Sequence, residues 1–342
     1  MKALLPRLAA APDVIVVVPV YNGGDIVRAC LESVVEFTPG RRVVVIDDGS
    51  TDAATLELLA EFAADDRIEL VTHSGNQGYT RTANQALSLA PEADVVLLNS
   101  DTVVGPLWLE RLRWTAYSVD KSAGVSAFSD SAGAYALPVT GQPNAWPRDR
   151  GWTTIARYVT QRSDCWALEG PTIHGFCVYL RREALDAVGV FDRKLFPRGY
   201  GEENEWSMRA LASGYVSLGA PHVFVGHEQG ATFGSARVKL ISRARRIIDE
   251  LHPSFTPLVE KWWHGVDYDA VRANSAASRA ALEAGAPAIR RIATVGNAPS
   301  LDGEAVPLPG GATTDEVALA TILIERSVEG VSVVATIPAV VE

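Results

Sequence analysis

Cysteine is scarce in this 342-residue chain, which contains only Cys30, Cys165 and Cys177. Three thiols without close spacing make neither a disulfide framework nor a zinc site. Long apolar runs are missing too. No stretch reaches the ~18 uninterrupted apolar residues expected of a membrane-spanning helix. The opening MKALLPRLAAAPDVIVVVPV is broken by Pro6, Arg7, Pro12 and Asp13, which argues against a signal peptide. Cations are in deficit: the formal net charge is −10, against general nucleic-acid binding. A local exception is VKLISRARRII (238–248), with four cations. No block of like charge marks a disordered tail. What remains, at 47% apolar and 21% charged residues, has the balance of a globular protein of one large or two ordinary domains. The expected compartment is the cytoplasm, with contact to the inner face of the cytoplasmic membrane left open.

What is present begins with VIVVVPV (14–20), a continuous apolar run closed by Tyr21-Asn22-Gly23-Gly24. It reads as a buried strand and a turn. DIVRACLESVVEF (25–37) follows with helical spacing. A second strand, RRVVVIDDGSTD, precedes a helix over 55–65, a strand over 68–73, the loop SGNQGYT, a helix over 82–90 and a strand, DVVLLNSD, over 94–101. Strands alternating with helices imply βαβ units and a parallel sheet. Right-handed crossovers then bring Tyr21, Asp48, Asn76 and Asp101 to one rim.

Beyond residue 105 the spacing predicts a helix over 106–118, a strand over 124–130, an aperiodic functional loop region over 131–165, and a strand into a helix over 174–189. A loop and acid-rich helix over 196–215, a final strand or extended segment (222–230) ending at His227, and helices over 236–251 and 256–284 complete the pattern. The tail, 290–342, reads as another βαβ-like segment. It is either the start of a further, truncated domain or a unit packed on the main one.

The acids carry the chemistry. Asp48, past a strand end, is placed to accept a hydrogen bond from a nucleobase N–H. Asp101 beside a diphosphate would repel it unless a cation stood between. Mg²⁺ or Mn²⁺ takes one or two carboxylates plus phosphate oxygens. A rim bearing both acids therefore suits a metal-bridged nucleotide diphosphate.

The ordered series PVYNGG (19–24), VVVIDDGSTD (43–52), NQGYTRTAN (76–84), LLNSDT (97–102), HGFCVYLRREALDAVGVFD (174–192) and GYGEENEWSMR (199–209) resembles the family 2 glycosyltransferases. The resemblance covers roughly residues 13–235 and extends to bacterial polysaccharide and rhamnosyltransferase-like members. It implies the glycosyltransferase A fold, an α/β architecture with a Rossmann-like, mostly parallel central sheet flanked by helices. The catalytic domain would span 13–235, with a nucleotide-binding half (13–105) and an acceptor-side half (106–235). A C-terminal helical extension would cover 236–286.

The resemblance also implies roles. Pro19, Tyr21 and Asp48 would line the base pocket; Asn76, Gly78 and Arg81 would lie near ribose and diphosphate. Asn99-Ser100-Asp101 stands in the place of the family's Asp-x-Asp motif, its first acid replaced by Asn, with Asp101 the metal ligand. His227 resembles the family's late metal-binding histidine. Glu203 would be the general base, with Glu202 and Glu205 competing because EENE leaves the register ambiguous. The implied reaction is inverting, Mn²⁺- or Mg²⁺-dependent transfer of a sugar from a nucleotide diphosphate to a hydroxyl of a bacterial glycan or lipid-linked glycan; Asp48 beside a ring N–H favours a UDP- or dTDP-sugar, with guanine left open.

Bland readings stand beside these. Asp47 and Asp48 would suit an Asx turn. EENE would suit a charged helix start. Arg81 would suit a surface cation, and His227 a structural histidine. Trp146, Trp152 and Trp166 are either sugar platforms or core anchors. Two rival functions remain: a non-catalytic sugar-nucleotide-binding or scaffold module, and a sugar nucleotidyltransferase. The latter is disfavoured because YNGGD carries no cation. Peripheral membrane contact and oligomerisation are left open.

Overall fold

The computed structural model describes residues 4–163, 167–228 and 234–286. Cys165, Trp166 and the βαβ-like segment expected over 290–342 lie outside the described residues. In chain order the elements are α1 (Leu4–Ala9), β1 (Val14–Val20), α2 (Asp25–Phe37), β2 (Arg42–Asp47), α3 (Ala53–Phe62), β3 (Ile68–Thr72), α4 (Tyr79–Ser88), β4 (Asp94–Leu98), β5 (Thr102–Val103), α5 (Trp108–Ser118) and β6 (Ser122–Phe128). They continue as α6 (Trp152–Arg162), β7 (Leu168–Gly170), β8 (Cys177–Leu180), α7 (Arg182–Val188), α8 (Glu202–Ala212), β9 (Val216–Phe224), β10 (Gly226–His227), α9 (Gly234–Leu251), α10 (Phe255–Trp263) and α11 (Val266–Glu283).

Eight strands form one sheet in the order β3-β2-β1-β4-β8-β6-β9-β7. β3, β2, β1 and β4 run parallel, as the βαβ spacing implies. β8 runs antiparallel to both β4 and β6, while β6 and β9 pair in parallel. β1 shows why the central strands read as unbroken apolar runs. Its even residues Val14, Val16, Val18 and Val20 enter one core, and Ile15 and Val17 enter the other. A sheet covered on both faces needs apolar residues at every position. α2 covers one face through Val27, Cys30, Leu31 and Val34, a helical stripe. α4 covers the other through Ala83, Ala86 and Leu87, beside Trp206 of α8.

The region read as aperiodic, 131–165, has regular structure in its described part, up to residue 163. It holds short 3₁₀ turns at Gly133–Tyr135 and Arg148–Arg150, and then α6. The single helix expected over 256–284 is two, broken at His264-Gly265. Trp146 is buried, donates its indole N–H to the Leu137 carbonyl at 3.0 Å and packs on Phe224. Trp152 lies against Gly226, where an added Cβ would sit 2.3 Å from the indole. Both tryptophans are core anchors. Among the described residues no helix is long and apolar enough to cross a membrane.

Candidate active site

Two glycine-bearing turns shape the rim. After β1, Asn22 adopts a positive φ of 55° and accepts N–H bonds from Thr51 (2.8 Å) and Asp52 (3.0 Å) through its side chain. Its own N–H donates to Ser50 Oγ at 2.9 Å, so the β1 and β2 turns are tied together. Gly49 (φ 75°) packs so closely on Gly75 that a Cβ would lie 2.5 Å from its backbone. Only glycine fits there. Tyr21 projects from this rim, 46% exposed, and Pro19 is a partly buried residue of β1 paired with Ile46.

Asp47 accepts the Ser50 N–H at 2.8 Å, the turn role expected of one of the two acids. Asp48 is 4% exposed and holds more than a turn. Its Oδ1 accepts the Gln77 N–H at 2.9 Å and meets His73 Nδ1 at 2.8 Å; its Oδ2 accepts the Gly78 N–H at 3.0 Å. Three of about four carboxylate lone pairs are thus committed to the 73–78 loop, and one on Oδ2 remains. Asn76 is exposed on that loop. Gly78 (φ 88°) begins α4 against the Pro197 carbonyl, which a Cβ would approach to 2.6 Å. Arg81 is exposed and lines a groove with His73, Gln77, Asn84 and Arg193, so the structure groups it with another cation.

At the exit of β4, Asn99 donates its N–H to the Phe176 carbonyl (2.8 Å) and its carbonyl accepts Thr102 Oγ1 (2.7 Å). Ser100 is partly buried in this turn. The two-residue ladder of β5 and β10 then sets His227 opposite Thr102. His227 Nε2 lies 3.2 Å from Asp101 Oδ1, and the Asp101 side chain is 31% exposed. His227 Nδ1 is 2.6 Å from the Ser131 carbonyl, which can only accept, so Nδ1 carries hydrogen and Nε2 faces the acid. Burial opposes charging this ring, but Asp101, helped by Ser131 and Asp130, raises it above the ordinary histidine value.

Residues missed in the sequence hold this pair. Buried Asp130 accepts the His227 N–H at 2.9 Å and pairs with Arg148 at 3.1 Å. Arg148 bridges on to Glu228, which also takes the Trp152 indole N–H at 2.9 Å. Ser-Asp-Ser after a strand was the available signal, but nothing local linked it to residue 227.

The acid-rich loop forms the facing wall. Gly199, Tyr200 and Gly201 carry successive positive φ values of 83°, 65° and 124°, a strained entry to α8. Thr80 holds this loop, its hydroxyl donating to the Phe196 carbonyl and accepting the Gly199 N–H. Glu205 is not available to substrate: it is buried in a two-pronged pair with Arg209 at 2.7 and 2.9 Å. Glu203 is partly buried and accepts the Gly201 N–H at 3.1 Å. Glu202 is 3% exposed, and its Oε2 finds no donor among the described residues. Burial and then the Glu203 charge push Glu202 well above the usual carboxylate range; burial also raises Glu203. Ionising both carboxyls together is therefore disfavoured, and Glu202 is the more strongly raised of the two. Tyr79, singled out by no sequence pattern, joins them: its ring and Glu202 both crowd Gly199. Burial, followed by the charges of Glu202, Glu203 and Asp101, holds its phenol protonated.

A carboxyl raised in the folded state binds a proton that the unfolded chain has released. Its stability contribution is therefore lost as pH rises from the ordinary value near 4.5 through the raised one. Glu202→Gln removes that loss. Its melting temperature is expected to exceed wild type at about pH 8 and to match it at about pH 4; a gain equal at both would contradict the raised carboxyl.

Asp101 and His227 offer a carboxylate and an imidazole, a donor set that fits a divalent ion. Among the described residues no cluster of three or more His, Cys, Asp or Glu side chains could hold a metal. An ion there needs further oxygens from a ligand or water, as diphosphate-bridging ions do.

The model of the family described as "Glycosyl transferase family 2" matches residues 15–189. Glycosyltransferase AglE of Haloferax volcanii is 26% identical over 233 residues, covering 65% of this chain and 69% of that protein. In further curated relatives the match spans 44% and 30% of their length. A structure of GalNAc-T7 with UDP, GalNAc and Mn²⁺ superposes with a TM-score of 0.54 at 17% identity, covering 78% of this chain and 55% of that one. The mannosyltransferase PcManGT of Pyrobaculum calidifontis, with GDP-Man and Mn²⁺, gives 0.51 at 20% identity, covering 84% and 85%.

Proposed function

The chain belongs to glycosyl transferase family 2 and has the glycosyltransferase A fold, and from that premise we propose an inverting, divalent-metal-dependent transfer of a sugar from a nucleotide diphosphate to a glycan or lipid-linked glycan hydroxyl. The observation that carries this reading is the approach of Asp101 Oδ1 and His227 Nε2 to 3.2 Å at the rim. Asp101 favours a proton on that nitrogen, and a divalent ion would compete with the proton for the same two atoms. Mn²⁺ or Mg²⁺ bound there would offset charge on the departing diphosphate.

The chain's own residues supply the rest. The free lone pair on Asp48 Oδ2 and the exposed Tyr21 ring suit a pyrimidine whose ring N–H lies between carbonyls, as in a UDP- or dTDP-sugar. Ionised Glu203 takes the acceptor hydroxyl's proton as that oxygen bonds to the anomeric carbon and the bond to phosphate breaks. Protonated Glu202 keeps the neighbouring charge off its partner, so only one carboxylate is present to act as base. Tyr79 closes the wall between the acids.

Calorimetry with UDP-, dTDP- and GDP-sugars, with and without Mn²⁺, tests the reading. A matching donor at about 100 times its Kd should stabilise the fold by about 2.7 kcal/mol, and only with the metal present. Equal stabilisation without metal would exclude the Asp101–His227 site. Binding without turnover in a donor-hydrolysis assay would favour a non-catalytic module.

A further inference from the structure

Asp48 is held by three donors, and two of them are backbone N–H groups, of Gln77 and Gly78, that no side-chain substitution removes. The third is a side chain. His73 follows directly on β3, where its own N–H donates to the Asp47 carbonyl at 2.9 Å. Its ring is buried, 7% exposed. Nδ1 lies 2.8 Å from Asp48 Oδ1, and Nε2 lies 2.7 Å from the side-chain oxygen of Gln85 on α4. Both ring nitrogens are thus engaged, and the imidazole cannot turn without breaking two bonds. An amide suits Nε2 in either role, because it accepts through its oxygen and donates through its nitrogen. A carboxylate can only accept, so Nδ1 carries the hydrogen that joins His73 to Asp48.

This chain of three side chains controls how Asp48 meets a ligand. His73 and Gln77 fill Oδ1 and Gly78 takes one position on Oδ2, which leaves a single Oδ2 lone pair. We infer that His73, steadied by Gln85, is a specificity-determining positioning residue: it fixes Asp48 as a carboxylate that only accepts, and so selects nucleobases with a ring N–H at the pairing edge. Uracil, thymine and guanine present one. Cytosine and adenine offer a bare ring nitrogen, whose lone pair would meet that of Oδ2. This selectivity rests on the base-pocket role proposed above for Asp48 and extends it. Without His73 the buried carboxylate loses a charge-assisted bond. Its oxygens are then free to turn, and a buried carboxyl with fewer donors takes up a proton more readily. Once protonated it donates to the bare nitrogen it formerly repelled. A histidine with a purely structural role would behave differently, since its loss would weaken the binding of every base alike.

The test is calorimetry of the full chain, with manganese present, against UDP, CDP, GDP and ADP. In UDP against CDP, and in GDP against ADP, the ring nitrogen at the pairing edge carries hydrogen in the first and is bare in the second. Wild type should prefer the N–H member of the pair it binds by roughly ten- to a hundredfold, the cost of leaving a buried polar group facing a lone pair. In His73→Ala that preference should shrink by about tenfold, the worth of one hydrogen bond to a charged group. His73→Asn, which sets its amide nitrogen close to where Nδ1 stood, should restore it. Gln85→Leu leaves every bond to Asp48 in place but frees the ring. It should lower the preference in the same direction, and it carries the test if His73→Ala does not fold. An unchanged preference in His73→Ala, or in Gln85→Leu where the first is unfolded, would overturn the inference whatever the absolute affinities. So would a His73→Asn variant as indiscriminate as His73→Ala. Failure of the underlying reading shows in the wild type alone: equal binding of both members in both pairs would remove Asp48 from the base pocket.

Discussion

Asp101→Ala is expected to lose transfer by about a thousandfold or more while melting at the wild-type temperature. Metal stabilisation of a leaving group contributes several kcal/mol, and each 1.36 kcal/mol is about tenfold in rate. The side chain is 31% exposed and meets His227 at its edge, so little packing is lost with it. His227 reports the same change independently. With the carboxylate gone, burial is the main remaining influence, and the ring should titrate below its wild-type midpoint in the metal-free protein. Manganese titration by calorimetry should show weakened donor binding only in the presence of metal. Transfer within tenfold of wild type, still responsive to manganese, would remove Asp101 from the site.

That Asp101 could be picked out from sequence follows from where it lies. The parallel half of the sheet is buried on both faces, so β1, β2 and β4 are written as apolar runs whose ends are unmistakable. The acids after those runs fall on one rim by topology alone. Elsewhere the pattern is set by tertiary partners. β9 is read as starting only near residue 222 because Gly219 and Pro221 interrupt it. In the structure it begins at Val216, and Gly219 leaves room for the Phe128 ring, which a Cβ would approach to 2.8 Å. Pro221 escapes the usual penalty because β7 pairs only with residues 217–219.

The site divides the same way. Asp48 is visible as a strand-end acid, but its grip on the 77 and 78 N–H groups depends on a loop nearly thirty residues away. The β5–β10 ladder that aims His227 is two residues long, too short for any periodicity. Tyr79 and Asp130 matter through neighbours more than ninety residues distant. The EENE ambiguity could not be resolved from spacing. Arg209, one helical turn beyond Glu205, claims that carboxylate and narrows the choice to Glu202 and Glu203.

Once Glu205 is committed, the base assignment rests on how Glu202 and Glu203 divide one proton, and Glu203→Gln tests it. Removing a positioned general base costs about 10²- to 10⁴-fold. The loss should fall on kcat, because the amide keeps the volume and still accepts the Gly201 N–H through its carbonyl oxygen. Donor affinity, measured with manganese present, should stay near the wild-type value, because the base acts on the acceptor and only in the transition state. The pH profile carries the sharper signature. Burial raises Glu203, so the ionised base accumulates only above the ordinary carboxylate range. Wild-type kcat should therefore climb with pH through a midpoint above 4.5. In the variant that acid limb should vanish, leaving a low, flat rate. Full turnover by Glu203→Gln would hand the proton to another acceptor. An acid limb retained at reduced rate would point to Glu202 as the titrating group, and Glu202→Gln would then be the slow enzyme instead of the merely stabilised one.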